Sequence, residues 1–267
     1  MSVKLFYRKY GEGPPLVILH GLYGSSDNWM TIARKISNIY TVWLPDLRNH
    51  GSSPHDSTHS FEAMADDLSE LAEKNNLGKF FLAGHSMGGK AAILFALKWP
   101  EKLNGLLIAD VSPFTVQASV SLAYDYHSRI LSTVSRTDIS GASSRKEIET
   151  LLSSGISSSR DIALIMKNLK RNADNSYSWK INAPVLLRHL REMIEGLVLP
   201  PVGEHGITGF PVIFLKGENS EYLDQGDYTR ILKLFPAAEF RIVKNAGHWI
   251  HADNPEAVAE ALGDLMK

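Results

Sequence analysis

Phe80-Phe81-Leu82-Ala83-Gly84-His85-Ser86-Met87-Gly88-Gly89 is the stretch that decides the architecture. A short apolar run breaks off in G-x-S-x-G, and a helix-compatible run from Lys90 to Trp99 follows at once. Strand, tight turn and helix in that order are the context of a nucleophile elbow, in which a serine hydroxyl is pushed out of the end of a sheet. Gly84 and Gly88 leave room for a strained turn and for close helix-on-strand packing. Ser86 is therefore the expected nucleophile. Without that flanking strand and helix, the same position would read as a helix N-cap serine.

Outward from the elbow, short apolar runs alternate with helical patterns. Leu16–Leu19, Thr41–Leu44 and Leu106–Ala109 read as buried strands beside Phe80–Ala83. Between them, Phe61, Met64, Ala65, Leu68, Leu71 and Ala72 trace one face of a helix spanning Ser60 to Asn75. Continuous apolar strands separated by helices predict a parallel sheet covered on both faces. From Pro113 to His205 strand-like runs disappear. Serine is dense there, and Tyr124–Val134, Arg145–Leu152 and Asp161–Arg171 read as helices. The sheet resumes with Pro211–Leu215 and Glu239–Val243, and a helix over Pro255–Met266 closes the chain. The expected division is an α/β core of residues 1–112 and 206–267 with a helical cap inserted at 113–205.

Composition bounds the function. The chain has 267 residues, 44% of them hydrophobic, and a net charge of −1. Such a balance does not point to nucleic acid or an anionic membrane as partner. The absence of cysteine excludes disulfides, thiolate catalysis and cysteine-ligated metals. Met1 to Lys9 carry no apolar leader, and no run approaches the about 18 apolar residues of a membrane span. A soluble cytoplasmic protein is expected.

A serine hydroxyl needs a base, and the base needs an orienting acid. Asn245-Ala246-Gly247-His248-Trp249 directly follows the last expected strand, so His248 is the expected base and nearby His251 a structural histidine. For the acid, the loop after Pro211–Leu215 reads Lys216-Gly217-Glu218-Asn219-Ser220-Glu221, with Ser220 where a G-x-x-D pattern would place aspartate. Asp110 follows the preceding strand and keeps the chain order Ser, Asp, His. It is the favoured acid, with Glu218, Asp224 and Asp227 as alternatives. His20-Gly21-Leu22-Tyr23-Gly24 follows the first buried strand, and the amides of Leu22 and Met87 are the expected oxyanion donors. His20 is expected to fix that loop, and Asp46–Pro54 to brace it. The aromatic residues Phe114, Tyr124, Tyr126, Tyr177 and Trp179 could line an acyl pocket or form the cap's own core.

Taken together, His20-Gly21, Asp46-Leu47-Arg48-Asn49-His50-Gly51-Ser52-Ser53, Gly84-His85-Ser86-Met87-Gly88-Gly89-Lys90 and Ala246-Gly247-His248-Trp249 resemble the α/β-hydrolase superfamily. Asp110-Val111-Ser112-Pro113 and Gly247-His248-Trp249-Ile250-His251-Ala252 resemble more closely its branch of small YbfF-type bacterial esterases and abhydrolase-11 relatives. The resemblance spans the chain, including Trp179-Lys180-x-Asn182-x-Pro184-Val185, and shares the displaced acid and the serine at position 220. It implies carboxylester hydrolysis by Ser86, His248 and Asp110 on a small-molecule ester or thioester, with no metal or organic cofactor. The alternatives are an acyl-CoA thioesterase, another chemistry of this scaffold (C–C bond hydrolysis or a lyase), or a ligand-binding receptor on a hydrolase shell. Epoxide and haloalkane hydrolysis are disfavoured, because they need a carboxylate where Ser86 stands.

Overall fold

A computed structural model describes residues 2–114, 117–199, 203 and 205–267. Its centre is a seven-stranded sheet ordered β1-β3-β2-β4-β5-β8-β9. The first strands are β1 (Tyr7–Tyr10), β2 (Pro15–Leu19), β3 (Thr41–Pro45), β4 (Phe80–His85) and β5 (Leu103–Ala109), completed by β8 (Val212–Gly217) and β9 (Ala238–Val243). Only the edge strand β1 runs antiparallel to its neighbour. Helices α1 (Met30–Ile36), α2 (Phe61–Lys74) and α3 (Met87–Lys98) alternate with the first strands.

The central strands are largely apolar because both faces are covered. Val17, Leu19, Leu82, Leu106 and Ile108 face a core shared with Met64 and Leu68 of α2 and Phe95 of α3. The alternate residues Leu16, Ile18, Ala83 and Leu107 face a second core with Ile32 and Ile36 of α1. Helix α2 starts where expected: Ser60 Oγ accepts the Ala63 amide at 3.2 Å, and the six apolar residues of the stripe are buried.

Between β5 and β8 the chain leaves the sheet. It forms α4 (Gln117–Arg136), α5 (Arg145–Leu152), α6 (Ser159–Met166), a hairpin of β6 (Leu169–Arg171) and β7 (Tyr177–Trp179), α7 (Ala183–Arg188) and α8 (Leu190–Ile194). Ile130, Leu131, Ile148, Leu152, Ile165 and Leu186 bury one another in a third cluster. The chain closes with α9 (Tyr228–Leu234), α10 (Ile250–Asp253) and α11 (Pro255–Asp264). Of the stretch read as a cap, residues 115, 116, 200–202 and 204 lie outside the described residues.

Several expectations need correction. Strands do occur in the inserted region, and the helix read through Arg171 stops at Met166. The turn Asn172–Ser176 is the cause: Asn175 takes φ +69°, and the Asn172 amide donates to the Ser176 carbonyl at 2.8 Å, folding the flanks into a hairpin. Strand β4 runs on to His85, because Gly84 and His85 still pair with Ile108 and Ala109. Strand β5 starts earlier, at Leu103, and α3 starts at Met87 directly after the elbow. The polar edge strand β1 and the helix α1 were not read from the sequence.

Candidate active site

Ser86 sits between β4 and α3 with φ +53° and ψ −119°, a conformation costly for any residue with a Cβ. Close packing holds it there: a Cβ at Gly84 would lie 2.3 Å from the Gly88 carbonyl, and one at Gly88 2.5 Å from that of His20. The Ser86 amide donates to the Ala109 carbonyl at 3.1 Å, which ties the turn to β5.

His248 lies on the turn between β9 and α10. Though 162 residues away in sequence, its Nε2 accepts the Ser86 hydroxyl at 3.0 Å. Its Nδ1–H donates to Asp110 Oδ2 at 2.8 Å. Asp110 follows β5 directly, is fully buried and has φ +54°. Its Oδ1 accepts the Gly217 amide at 2.8 Å, and its Oδ2 also accepts the Ser220 hydroxyl. The serine in the usual aspartate place thus supports the displaced carboxylate. A carboxylate accepting these donors is held in one orientation.

The three alternative acids are engaged elsewhere. Glu218 accepts the Asn245 amide at 2.8 Å, Asp224 accepts that of Gly226 at 2.6 Å, and Asp227 accepts the Ser112 hydroxyl at 2.6 Å. Leu22 and Met87 line the same cavity as Ser86 and His248. Met87 is the first residue of α3, so its amide has no acceptor within the helix.

Around this group the histidines are buried and kept neutral. His20 Nδ1–H donates to the Gly21 carbonyl and its Nε2 accepts the Leu47 amide, both at 2.9 Å, which joins the two loops. Burial lowers its pKa. His85 lies well below the usual imidazole range through burial and the nearby His248, and its Nε2–H donates to the His248 carbonyl at 2.7 Å. His251 stacks on Trp29, and burial pushes it down to about 3. The Asp46–Pro54 loop is closed by Asp46, which accepts the amides of Ser26 and Ser52 at 2.6 and 2.7 Å.

A cavity of about 530 Å³ opens above Ser86. Its walls combine apolar side chains (Val111, Phe114, Leu164, Met193) with Tyr23, Tyr126, His127 and Asp161. The aromatic residues of the inserted region therefore divide: Phe114 and Tyr126 line the cavity, whereas Tyr124, Tyr177 and Trp179 pack in the third cluster. Three contributors were not foreseen. Tyr23 is buried in that cluster from the Leu22 loop, and Asn168 donates to its carbonyl at 2.9 Å. The Tyr23 hydroxyl meets His127 Nδ1 at 3.1 Å, and burial pushes His127 down to about 4. Lys90 spans from α3 to the end of α8 and donates to the carbonyls of Met193, Ile194 and Glu195, while burial pulls its pKa down to about 8. Gly-Gly-Lys was visible in the sequence, but the carbonyls it serves lie more than a hundred residues on. Among the described residues, no three His, Asp or Glu side chains gather as a metal site, and no helix is long and apolar enough to cross a membrane.

Residues 14–127 match the profile of the α/β hydrolase fold family. The chain is 34% identical over 259 residues to the mouse (Mus musculus) protein named sn-1-specific diacylglycerol lipase ABHD11, covering 95% of this chain and 81% of that one. It is 30% identical over 252 residues to esterase YbfF of Escherichia coli, covering 93% and 91% of the two. Among solved structures, a marine microorganism esterase superposes with a TM-score of 0.92 at 38% identity, over 99% of this chain and 100% of that one. With the elbow, the parallel sheet and these similarities over most of the chain, the protein belongs to the α/β-hydrolase superfamily, in the branch of the YbfF esterase and the ABHD11 lipases.

Proposed function

We propose that the protein is a serine carboxylesterase with Ser86 as nucleophile, His248 as general base and acid, and Asp110 as the orienting acid. The observation that carries this reading is the continuous hydrogen-bond chain Ser86 Oγ–His248 Nε2 and His248 Nδ1–Asp110 Oδ2, at 3.0 and 2.8 Å. His248 takes the Ser86 proton as Oγ attacks the ester carbonyl. The amides of Leu22 and Met87 receive the oxyanion, and His248 then protonates the departing alcohol. Water repeats the sequence on the acyl-enzyme and releases the acid. Asp110 keeps the proton on Nδ1, so that Nε2 is free to accept, and it stabilises the imidazolium that forms.

In this reading residues 113–205 act as a cap that shares the cavity wall with the core, and the substrate is a small-molecule ester. The relatives named esterase and lipase support ester hydrolysis. Ester is favoured over acyl-CoA by the charges along the cavity. Asp161 and Glu221 line it, while the Lys90 ammonium is engaged by three carbonyls, an unfavourable setting for a polyanionic leaving group.

The test is rapid-mixing kinetics with a p-nitrophenyl acyl ester. The wild-type enzyme is expected to release a burst of nitrophenolate stoichiometric with Ser86. Ser86→Ala should show neither burst nor turnover while keeping its circular-dichroism spectrum. Turnover by Ser86→Ala at the wild-type rate would refute the assignment.

A further inference from the structure

One face of the His248 imidazole is covered by an aromatic ring that the mechanism above does not use. The Tyr222 ring stacks on it with centroids 3.7 Å apart and planes 19° from parallel. Tyr222 reaches this position from the segment that also holds the acid. Gly217 and Ser220 donate to the two oxygens of Asp110, and the Tyr222 amide in turn donates to Ser220 Oγ at 3.3 Å. The Tyr222 carbonyl accepts the Ser112 amide at 3.0 Å, which pins the segment to the chain just beyond Asp110. In a fold whose usual acid site here carries a serine, the vacated loop thus contacts both remaining polar members of the catalytic chain.

The two hydrogen bonds of His248 lie in the plane of its ring. They set the distances to Ser86 and Asp110, but they resist tilting of the ring out of that plane only weakly. A flat ring in van der Waals contact opposes tilt directly, and its negative face favours the imidazolium formed during attack. We infer that Tyr222 is a positioning residue, which holds the His248 imidazole in the Ser86–Asp110 plane through stacking by its ring. The hydroxyl is not required for this. The inference rests on the assignment of His248 as base.

The experiment uses a probe small enough to be indifferent to the outer cavity walls. Diisopropyl fluorophosphate forms a phosphorus–oxygen bond to the activated serine with loss of fluoride, so its rate reports how well His248 activates Ser86. Tyr222→Leu keeps apolar bulk and loses the flat ring. It is expected to lower both kcat and the phosphorylation rate by about 10- to 100-fold, the scale of a misplaced catalytic group. The acid limb of its kcat/KM–pH profile should also move. Tyr222→Phe keeps the ring and should stay close to wild type in all three readouts. A Tyr222→Leu enzyme with the wild-type phosphorylation rate and pH profile, altered only in KM, would make Tyr222 a cavity wall and overturn the inference while leaving the triad standing. Failure of the wild-type enzyme itself to be labelled at Ser86 would instead overturn both.

Discussion

At Asp110 the contacts of a single residue favour one answer to a question that its neighbourhood in sequence leaves open. It and Glu218 flank strands that are neighbours in the sheet, and both are carboxylates at strand ends. Only Asp110 lies within hydrogen-bond reach of His248, from a fully buried position with φ +54°. Asp110→Asn would offer His248 Nδ1 an amide donor and favour the wrong imidazole tautomer. A loss of about 10⁴ in kcat is expected, as for the corresponding substitution of the orienting acid in a Ser-His-Asp triad. Glu218→Gln, at an exposed carboxylate holding only the Asn245 amide and facing Lys244, should keep the wild-type kcat. Steady-state kinetics on one aryl ester compares the two; a collapse of the Glu218→Gln enzyme would reverse the assignment. Asp110 was legible because chain order and strand-end position both favoured it. The hydroxyl support from Ser220 and the Tyr222 stack were not, because each joins residues more than a hundred or about two dozen positions apart through contacts that leave no periodic trace.

At the scale of elements, the loop between β3 and α2 carries an ion pair with no solvent contact. Arg48 donates to both oxygens of Asp67, at 2.7 and 2.8 Å, with both side chains fully buried. Burial raises the Asp67 pKa, while Arg48 opposes that rise. Removing one partner leaves an uncompensated charge in the core, so Arg48→Met is expected to destabilise the fold by about 3–5 kcal/mol. Urea denaturation checks this: a midpoint equal to wild type would mean that the pair contributes nothing net. The sequence marked Asp46–Pro54 as a braced loop and α2 as an amphipathic helix, but pairing Arg48 with an acid on the buried side of α2 requires the packing of loop against helix. The hairpin β6–β7 was hidden for a related reason. Strands of three residues are too short for alternation to register, and its existence depends on the Asn172–Ser176 turn.

For the molecule as a whole, the buried histidines link stability to pH. Burial is the leading cause in each case, placing His59 and His251 at about 3 and His127 at about 4. In the unfolded chain they titrate near the ordinary value of 6.5. Below that value the unfolded state binds more protons than the folded one. Stability is therefore fully present above about pH 6.5 and falls as pH drops toward the folded values, by up to about 1.4 kcal/mol per pH unit for each histidine. Thermal melts between about pH 7 and about pH 5 should show a falling midpoint, and His251→Phe should make the decline shallower; an unchanged slope in that variant would exclude His251 as a contributor. The sequence alone determined the parallel sheet and the elbow at Ser86, and it pointed to His248 and Asp110 as candidates, because strand-length apolar runs and a strand–turn–helix motif are local patterns. Only the tertiary structure decided that the loop vacated by the usual acid supports Asp110 and covers His248, that Lys90 serves the last carbonyls of α8, and that Tyr23 anchors the Leu22 loop in the inserted helices. Those contacts join segments distant along the chain, and what selects them is the exclusion of water from buried polar groups that must find partners.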